Sequence, residues 1–317
     1  MALLRAYRPE RQTRLRDHRR RVRAAGAPSP RQGACLIGRW EVTGTTRVAA
    51  VIGHPIRHSI SPIIHNAAFR ALDLDWVFTA FEVAPGRAAA AVEGARDLGL
   101  AGLSVTMPHK ADVVRALDQL TPTARTLGAV NTVVRRGERE LVGDNTDGAG
   151  FLDALRTDEG FDPVGRRCLV VGAGGAARAV VLALAGAGAA EVVVANRTPS
   201  RAEEAAALAP GVARTGSTEE AGDVDLIVNA TPQGMGGDLA LPVQAAALGS
   251  GQLIVDLVYH PALTPLVEAA REQGAAATNG LGMLIHQAAH AFRLWTGEDP
   301  PLEVMSAAAL ADLALRD

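Results

Sequence analysis

From Arg47 onward, short apolar strands alternate with helical stretches, and this alternation limits the possible folds more than any other feature of the chain. The run Arg47–Ile52 has the continuous apolar character of a strand covered on both faces. Ser61–Leu72 follows as a helix with Pro62 in its first turn, where a missing N–H costs nothing. The pattern predicts an α/β fold with a mostly parallel sheet covered by helices.

Two groups of such elements are expected, because 317 residues exceed what one core of ordinary size accommodates. The first group has predicted strands at 76–83, 102–106, 129–135 and 140–143, with a turn at Gly137 between the last two, a helix at 84–98 and a helix beginning around Pro108. The second has predicted strands at 167–171, 191–195, 225–229 and 252–258, and a helix at 179–185. A long amphipathic helix at 281–295 and another from Leu302 complete the pattern.

The charge of the chain is distributed unevenly. Residues 1–41 hold 11 arginines and three acidic residues, whereas the remainder carries a net charge of −10 and offers no polyanion-binding face. An arginine-rich arm is compatible with nucleic-acid binding or targeting, but we expect residues 1–46 to be a disordered or mis-started leader. Nucleic-acid binding is therefore not expected.

Cysteine content and hydropathy limit where in the cell this protein is expected to work. Two cysteines cannot form a disulfide framework and are typical of a reducing cytoplasm. The longest apolar stretch, 179–195, contains Gly186, Gly188 and Glu191 and is too short to span a bilayer, so we expect no membrane partner.

A glycine-rich turn separates a predicted strand from a predicted helix at 172–177. Its residues are Gly172, Ala173, Gly174, Gly175, Ala176 and Ala177. The sequence matches G-x-G-x-x-G/A, in which the first glycine permits a sharp bend and the second lets the backbone approach a pyrophosphate. The helix N-terminus beyond the turn favours an anion, so the turn predicts dinucleotide binding rather than an ordinary bend.

The residues after the next strand indicate which dinucleotide binds. An NAD site needs an acidic residue there for the ribose 2′-OH, but Asn196, Arg197 and Thr198 occupy the position and Arg201 follows one turn later. Glu191 begins the strand, at the far edge. Two guanidinium groups without a carboxylate suit a 2′-phosphate and favour NADP(H), although a solvated charged loop is the alternative.

Two hydroxyl residues, Ser59 and Ser61, lie at the start of the first predicted helix. They can bind a substrate carboxylate there, or Ser61 can simply cap the helix. His54 and His58 are four residues apart, but Pro55 lies between them, so they are unsuited to a shared metal ion. No motif predicts a metal site.

Lys110 and Asp147 are candidates for acid–base chemistry. A lysine at the start of a helix feels the positive end of the helix dipole, which favours release of its proton. Asp147 precedes a helical stretch, where it can cap the helix or face Lys110 across a cleft. An exposed lysine and a capping aspartate are the structural alternatives.

These motifs together resemble the shikimate dehydrogenase family, the AroE-type enzymes of aromatic amino-acid biosynthesis. The resemblance runs from about Arg47 to the C-terminus. It rests on seven segments in order: 58–62 (HSISP), 105–110 (VTMPHK), 128–132 (GAVNT), 143–148 (GDNTDG), 172–176 (GAGGA), 196–198 (NRT) and 280–284 (GLGML).

The resemblance implies a role for each matching residue. Lys110 and Asp147 would be the catalytic pair, and Ser59, Ser61, Thr106, Asn131, Tyr259 and Gln287 would bind substrate. The pyrophosphate would lie at 172–177 and the 2′-phosphate at Asn196, Arg197, Thr198 and Arg201. The nicotinamide would lie near Asn229, Ala230, Thr231, Gly280 and Met283.

The resemblance also implies a reaction and a domain organisation. The reaction is the reversible reduction of 3-dehydroshikimate by NADPH, in a monomer or homodimer. A substrate-binding domain of residues 47–146 plus 281–317 would face a Rossmann-type NADP-binding domain of residues 147–280 across a deep cleft. Ser104 departs from the family, which commonly has Asn there. His109 is also unusual, and we interpret it as an exposed neighbour of Lys110.

Three other functions are compatible with parts of the pattern. An NAD-linked quinate/shikimate dehydrogenase is the nearest, but quinate-using relatives often have threonine where Ser61 stands. A non-catalytic ligand sensor would be expected to lack Lys110 or Asp147, and both are present. The third, a nucleic-acid binder that uses the arginine-rich arm, has little support from the acidic body.

Overall fold

The computed structural model describes residues 41–316, and its strands form two six-stranded sheets. The first sheet contains β1 (Arg47–Gly53), β2 (Trp76–Glu82), β3 (Gly102–Val105), β4 (Gln119–Leu120), β5 (Thr132–Arg136) and β6 (Glu140–Asp144). The second contains β7 (Arg167–Val171), β8 (Glu191–Ala195), β9 (Ala213–Thr215), β10 (Leu226–Asn229), β11 (Leu253–Asp256) and β12 (Ala276–Asn279). The leader expected at 1–46 lies, as far as residue 40, outside the described residues.

Helices connect and cover these strands. They are α1 (Ser61–Ala71), α2 (Ala88–Asp97), α3 (Pro122–Leu127), α4 (Asp147–Asp153), α5 (Gly175–Gly186), α6 (Pro199–Ala206), α7 (Pro265–Glu272), α8 (Leu281–Thr296) and α9 (Leu302–Leu313). Short 3₁₀ segments lie at Asp112–Ala116, Thr218–Asp223 and Ala245–Ala247, and a π-helical turn, Ala154–Asp158, extends α4. Within residues 41–316, no helix is both long and apolar enough to cross a membrane.

The first sheet has the order β2-β1-β3-β5-β6-β4. Five strands run in one direction, and only β5 is reversed, because it pairs antiparallel with both β3 and β6. The β5–β6 hairpin turns at Gly137, whose φ of 57° lies in the left-handed region that glycine tolerates. The predicted mostly parallel sheet is therefore confirmed.

The second sheet is parallel throughout, with the order β12-β11-β10-β7-β8-β9. From the opposite edge this is the 3-2-1-4-5-6 order of the doubly wound dinucleotide-binding fold. Successive residues of β7 enter different cores: Cys168 and Val170 pack on one face, Leu169 and Val171 on the other. Burial on both faces explains the unbroken apolar run of this strand.

The last two helices, α8 and α9, pack on the first sheet although they follow the second sheet in sequence. Phe292 and Trp295 of α8 and Met305 of α9 share a core with Phe69 of α1 and Phe78 of β2. The Trp295 indole also donates to the carbonyl oxygen of Val133 at 3.0 Å. A Cβ on Gly102 would collide with the Trp295 ring, so glycine creates the space for this contact.

Several predicted elements differ from the structure at their ends. The helix expected around Pro108 is instead a turn followed by the five-residue 3₁₀ segment at 112–116. The helix predicted at 179–185 begins four residues earlier, at Gly175, and the one predicted at 84–98 begins at Ala88. Three short strands (β4, β9 and β12) and three helices (α3, α6 and α7) were not predicted.

Candidate active site

The candidate substrate residues lie near the carboxyl ends of β1 and β3. Gly53 ends β1, and a Cβ there would be 2.5 Å from Cγ2 of Thr106, so glycine lets Thr106 pack against the strand end. Ser59 is half-buried, and its hydroxyl accepts a hydrogen bond from the Ser61 amide at 3.3 Å. Ile60 is the N-cap residue of α1, so the proposed capping role of Ser61 is not observed.

Lys110 and Asp147 form an ion pair, with Nζ and Oδ2 separated by 2.5 Å. Asp147 is 4% exposed, whereas the Lys110 side chain is 20% exposed. Thr146 is the N-cap residue of α4, so Asp147 begins the helix rather than capping it. Its carboxylate thereby faces the amine, so the structure brings together the two groups that the sequence offers as a possible acid–base pair.

Asn131 fixes the other oxygen of this carboxylate. Its Nδ2 donates to Oδ1 of Asp147 at 2.7 Å and to Oγ1 of Thr146 at 3.0 Å, and its Oδ1 accepts from the Thr146 amide at 2.8 Å. Gln287 Oε1 lies 3.5 Å from the same Nδ2. The network therefore joins the residue before β5 and the start of α4 to Gln287 of α8, beside Lys110.

Helix α4 carries Asp147 between two other helices at very short range. A Cβ on Gly148 would lie 3.0 Å from the carbonyl oxygen of Ala179 on α5. A Cβ on Gly150 would collide with the backbone of Gln287 on α8. The two glycines allow α4 to contact both the helix that follows the glycine turn and the helix that carries Gln287.

The glycine turn lies beside this network. Gly172 has a φ of 115°, and a Cβ there would be 2.8 Å from the carbonyl oxygen of Ala230, so the first glycine is required on two grounds. A Cβ on Gly175 would lie 3.7 Å from Cδ of Lys110. The N-terminus of α5 and the acid–base pair thus share one region of the molecule.

The turn has the shape and charge that NADP(H) requires. Gly174 is exposed, and a Cβ there would meet nothing within 4 Å, which leaves the first turn of α5 open to a pyrophosphate. Arg197 and Arg201 are both exposed, with no acidic partner among residues 41–316. Glu191 instead pairs with Arg167 and Arg214 at the start of β8, away from the ribose position.

Asn229 and Asp256 form a buried pair at the ends of β10 and β11. Asp256 Oδ1 accepts from Asn229 Nδ2 at 2.9 Å, and Oδ2 accepts from the Thr264 hydroxyl at 2.6 Å. Burial raises the pKa of Asp256, while these hydrogen bonds oppose the rise. Asn229 Oδ1 in turn accepts from the amide and the hydroxyl of Thr231, so the fully buried Asn229 holds the loop rather than lining a cleft.

Asp256 and Thr264 were missed by the sequence reasoning. A lone acidic residue at the end of an apolar strand was the available signal, because such a carboxylate is either buried with partners or exposed at a sheet edge.

The other candidate residues near β11 and α8 occupy different surroundings. A Cβ on Gly280 would collide with the carbonyl of Leu257, which explains glycine at the N-cap of α8. Met283 is half-buried and packs on the core of the second sheet. Tyr259 packs against the core of the first sheet, and burial raises the pKa of its hydroxyl.

The expectation for His109 is wrong. The side chain is fully buried, and its Nε2 is 2.7 Å from the carbonyl oxygen of Val83. The chain turns sharply after Thr106, whose carbonyl accepts from the His109 amide, and this turn directs the imidazole toward the end of β2. Because only a short 3₁₀ segment follows, the helix-dipole argument for Lys110 also has no basis.

One feature of the composition bears directly on this site. Lys110 is the only lysine in a chain that has 31 arginines. Arginine can replace lysine wherever a positive charge is enough, but its guanidinium does not release a proton under physiological conditions. The single lysine therefore lies at the candidate acid–base position, where an amine can exchange a proton and a guanidinium cannot.

The parallel second sheet, its open glycine turn and the adjacent acid–base pair together define a two-sheet α/β protein of the dinucleotide-binding class. Comparisons with known proteins narrow this class. Family models match for the shikimate dehydrogenase substrate binding domain at residues 51–133, for shikimate / quinate 5-dehydrogenase at 158–233, and for the shikimate 5'-dehydrogenase C-terminal domain at 280–310.

Similar proteins cover nearly all of the described residues. A shikimate dehydrogenase (NADP(+)) of Methanopyrus kandleri is 47% identical over 284 residues, which are 86% of this chain and 98% of that protein. The chain therefore belongs to the shikimate dehydrogenase family.

Two solved structures illustrate the range of similar proteins. The shikimate 5-dehydrogenase from Thermus thermophilus, in complex with NADP(H) and shikimate, is 39% identical with a TM-score of 0.78, and the match covers 84% of this chain and 99% of that chain. Quinate dehydrogenase from Corynebacterium glutamicum, in complex with NAD, is 32% identical with a TM-score of 0.78 and the same coverage.

Proposed function

We propose that this chain catalyses the reversible NADPH-dependent reduction of 3-dehydroshikimate to shikimate, in the shikimate pathway. The observation that carries the proposal is the ion pair between Lys110 and Asp147, 2.5 Å apart and next to the glycine turn. Family membership supports the same reaction, because the similar curated proteins are NADP-dependent shikimate dehydrogenases.

NADP(H), when bound, supplies or accepts the hydride at its nicotinamide. The residues of the chain supply or accept the proton that accompanies hydride transfer. In the reductive direction, the Lys110 ammonium donates a proton to the C3 oxygen of the substrate as the ketone becomes an alcohol, and water then reprotonates the amine. Asp147 holds Nζ in place, and Asn131 fixes the orientation of the Asp147 carboxylate.

The substrate is held by polar side chains of the first sheet and of α8. Ser59, Ser61 and Tyr259 are assigned to its carboxylate. Thr106, Asn131 and Gln287 are assigned to the ring hydroxyls and the carboxylate end. The hydrogen bonds of Asn131 to Asp147 and Thr146 support its placement beside the reacting oxygen. Such positioning converts binding energy into a reactive geometry.

The cofactor residues follow the second sheet. Gly172 to Ala177 cradle the pyrophosphate at the N-terminus of α5, and Asn196, Arg197, Thr198 and Arg201 bind the 2′-phosphate. Ala230, Thr231, Gly280 and Met283 are assigned to the nicotinamide side. Asn229 acts indirectly, by holding the loop at Thr231.

A two-by-two assay tests the proposal. Shikimate and quinate are each offered to the purified chain with NADP⁺ and with NAD⁺, and the reduced nicotinamide is followed by its absorbance. We expect shikimate with NADP⁺ to give the highest kcat/KM. A preference for quinate with NAD⁺ would establish the alternative function, and no turnover in any of the four assays would favour a ligand sensor.

We also propose that the enzyme works in the cytoplasm as a monomer or homodimer. Cysteine content supports the location, and the Cys168 thiol is buried and unpaired, with its pKa raised to about 12 by burial. Sedimentation velocity over a range of concentrations distinguishes the two assembly states.

A further inference from the structure

Arg316 lies three residues beyond the end of α9 and contacts the loop that carries the proposed carboxylate-binding serines. Its Nη1 donates to the carbonyl oxygen of His58 at 2.7 Å. Its Nε is 2.6 Å from Oδ2 of Asp312, one turn earlier. Arg316 is an exposed residue, although its two bonds leave only 30% of its side chain accessible, and the Asp312 side chain is 18% exposed. The guanidinium is thus held from two sides at the surface.

The same guanidinium influences Tyr259. Burial raises the pKa of the Tyr259 hydroxyl, the positive charge of Arg316 opposes this rise, and the negative charge of Asp312 adds to it. Tyr259 also packs against the core cluster that contains Ile56 and Ile60, on either side of Ser59. The direct contact of Arg316 is with the loop that carries Ser59.

We propose that Arg316 is a positioning residue for substrate binding, which holds the His58–Ser59 segment in the geometry that receives the carboxylate of shikimate. Its bond to His58 fixes the residue immediately before Ser59, so its loss frees the serine hydroxyl to leave the pocket. The acid–base pair and the glycine turn have no bond to Arg316, so turnover and NADP⁺ binding should not depend on it. The inference rests on the proposed function.

The test compares Arg316→Ala and Arg316→Lys with the wild-type chain. For Arg316→Ala we expect the KM for shikimate to rise by about 10- to 100-fold, within the range for losing a hydrogen bond to a charged group, with kcat and the KM for NADP⁺ within about twofold. Arg316→Lys should recover part of the loss, since an ammonium can still donate to the His58 carbonyl and pair with Asp312.

Arg293→Ala is the matched control. Arg293 lies in the last turn of α8 and pairs with Asp299 at 2.9 Å, but no bond joins it to the serine loop. We expect its KM values to equal those of the wild type. Shikimate methyl ester adds a second readout, because the effect of Arg316→Ala should shrink when the substrate carries no carboxylate charge.

The outcomes separate this inference from the proposed function. An unchanged KM for shikimate in Arg316→Ala, or a parallel loss of NADP⁺ binding and thermal stability, would overturn the positioning role while leaving the reaction intact. An equal rise for shikimate and its methyl ester would also overturn it. Absence of shikimate turnover in the wild type would reject the proposed function and the inference together.

Discussion

The use of lysine at a single position is informative at the scale of one residue. The chain carries 31 arginines, some of them in buried or networked ion pairs such as Arg96 with Asp118 at 2.6 Å. Arginine therefore serves charge pairing throughout the molecule. Proton transfer is the one task that a guanidinium does poorly, because its proton is not released near neutral pH.

Replacement of Lys110 by arginine tests this interpretation directly. Lys110→Arg keeps the positive charge beside Asp147 but removes the transferable proton, so we expect kcat to fall by about 10²- to 10⁴-fold while shikimate still binds. Steady-state kinetics and calorimetric binding of shikimate measure the two effects. The reverse exchange at an exposed site, Arg70→Lys, is the control and should leave both unchanged. A near-normal kcat in Lys110→Arg would contradict the acid–base role.

The arginines after β8 give a second prediction at this scale. Arg197→Asp places a negative charge where the 2′-phosphate is expected, so the KM for NADP⁺ should rise by at least about 10-fold, as for the loss of a charged hydrogen bond. The KM for NAD⁺, which lacks that phosphate, should change little. Equal effects on both dinucleotides would reject the phosphate contact.

Sequence reasoning singles out residues that belong to contiguous motifs more readily than residues that act through the fold. Lys110, Asp147 and Gly172 are each marked by a motif whose chemistry needs that residue type, and their catalytic and cofactor-binding roles stay predictions. Arg316 was missed because its partner His58 is 258 positions away in the sequence. Asp256 was missed because no motif marks its partners Asn229 and Thr264, which only the fold brings to it. His109 was misplaced, because the direction of a side chain in an irregular turn depends on tertiary contacts.

Helix α1 contains an element-scale feature, a histidine buried inside an aromatic cluster. His65 is 1% exposed, and its ring lies 4.4 Å from Phe78 and 5.1 Å from Trp295, measured between centroids. Its Nδ1 has no hydrogen-bond partner among residues 41–316. Burial lowers the pKa of His65 from 6.5 to about 3, because a charged imidazolium has no compensation there.

Because the pKa of His65 is lowered in the folded chain, we expect the free energy of unfolding to fall in acid. Between pH 6.5 and about 3 the unfolded chain binds a proton at His65 that the folded chain does not, so the free energy of unfolding falls by about 1.4 kcal/mol per pH unit as the pH decreases. The stability is fully present above pH 6.5. Phenylalanine is aromatic but does not titrate, so His65→Phe should remove the part of this pH dependence that comes from His65.

Chemical denaturation at about pH 7.5 and about pH 5 measures the effect. The drop in unfolding free energy between the two pH values should be about 2 kcal/mol smaller in His65→Phe than in the wild type. Each protein is compared with itself at the two pH values, so the cost of packing the larger phenylalanine ring cancels. An identical drop in both proteins would show that His65 is protonated in the folded state.

The longer apolar strands were predicted, whereas the shortest strand was not. The strands β1, β7 and β8 have unbroken apolar runs and were placed within a residue of their ends. Strand β4 has only two residues and exists because it pairs with β6, which no local pattern signals. The 3₁₀ segment at 112–116 looks helical in sequence, but the chain is already extended at Leu117 and enters β4 at Gln119.

At the scale of the whole molecule, the chain crosses from one sheet to the other and back. Helices α8 and α9 complete the core of the first sheet, while Met283, near the start of α8, packs on the core of the second. We propose that residues 47–146 plus 281–317 act as one substrate-binding domain and residues 147–280 as the cofactor domain. Helix α8 then belongs to the first and borders the second.

A pair of core substitutions tests this division. Phe292→Ala removes a fully buried ring from the core of the first sheet, and Leu184→Ala removes a fully buried side chain from the core of the second. Each should lower the free energy of unfolding, by about 3–5 and about 2–5 kcal/mol respectively, measured by chemical denaturation.

Their effects on ligands should differ. Phe292→Ala is expected to weaken shikimate binding more than NADP⁺ binding, and Leu184→Ala the reverse, because each cavity loosens the sheet that carries the respective ligand residues. Calorimetry with each ligand alone gives the comparison. Equal losses for both ligands in both variants would contradict the proposed division.

Because Lys110 is the only lysine, its ε-amine can be labelled selectively for NMR. Reductive methylation with ¹³C-formaldehyde keeps the charge of a lysine and would place isotope at only two positions, the α-amine and Lys110. One of the two resonances would then report the state of the ion pair with Asp147 without any mutation. The chemical shift, followed as the pH is changed, would report the protonation of the Lys110 amine in the free enzyme and in the presence of each ligand.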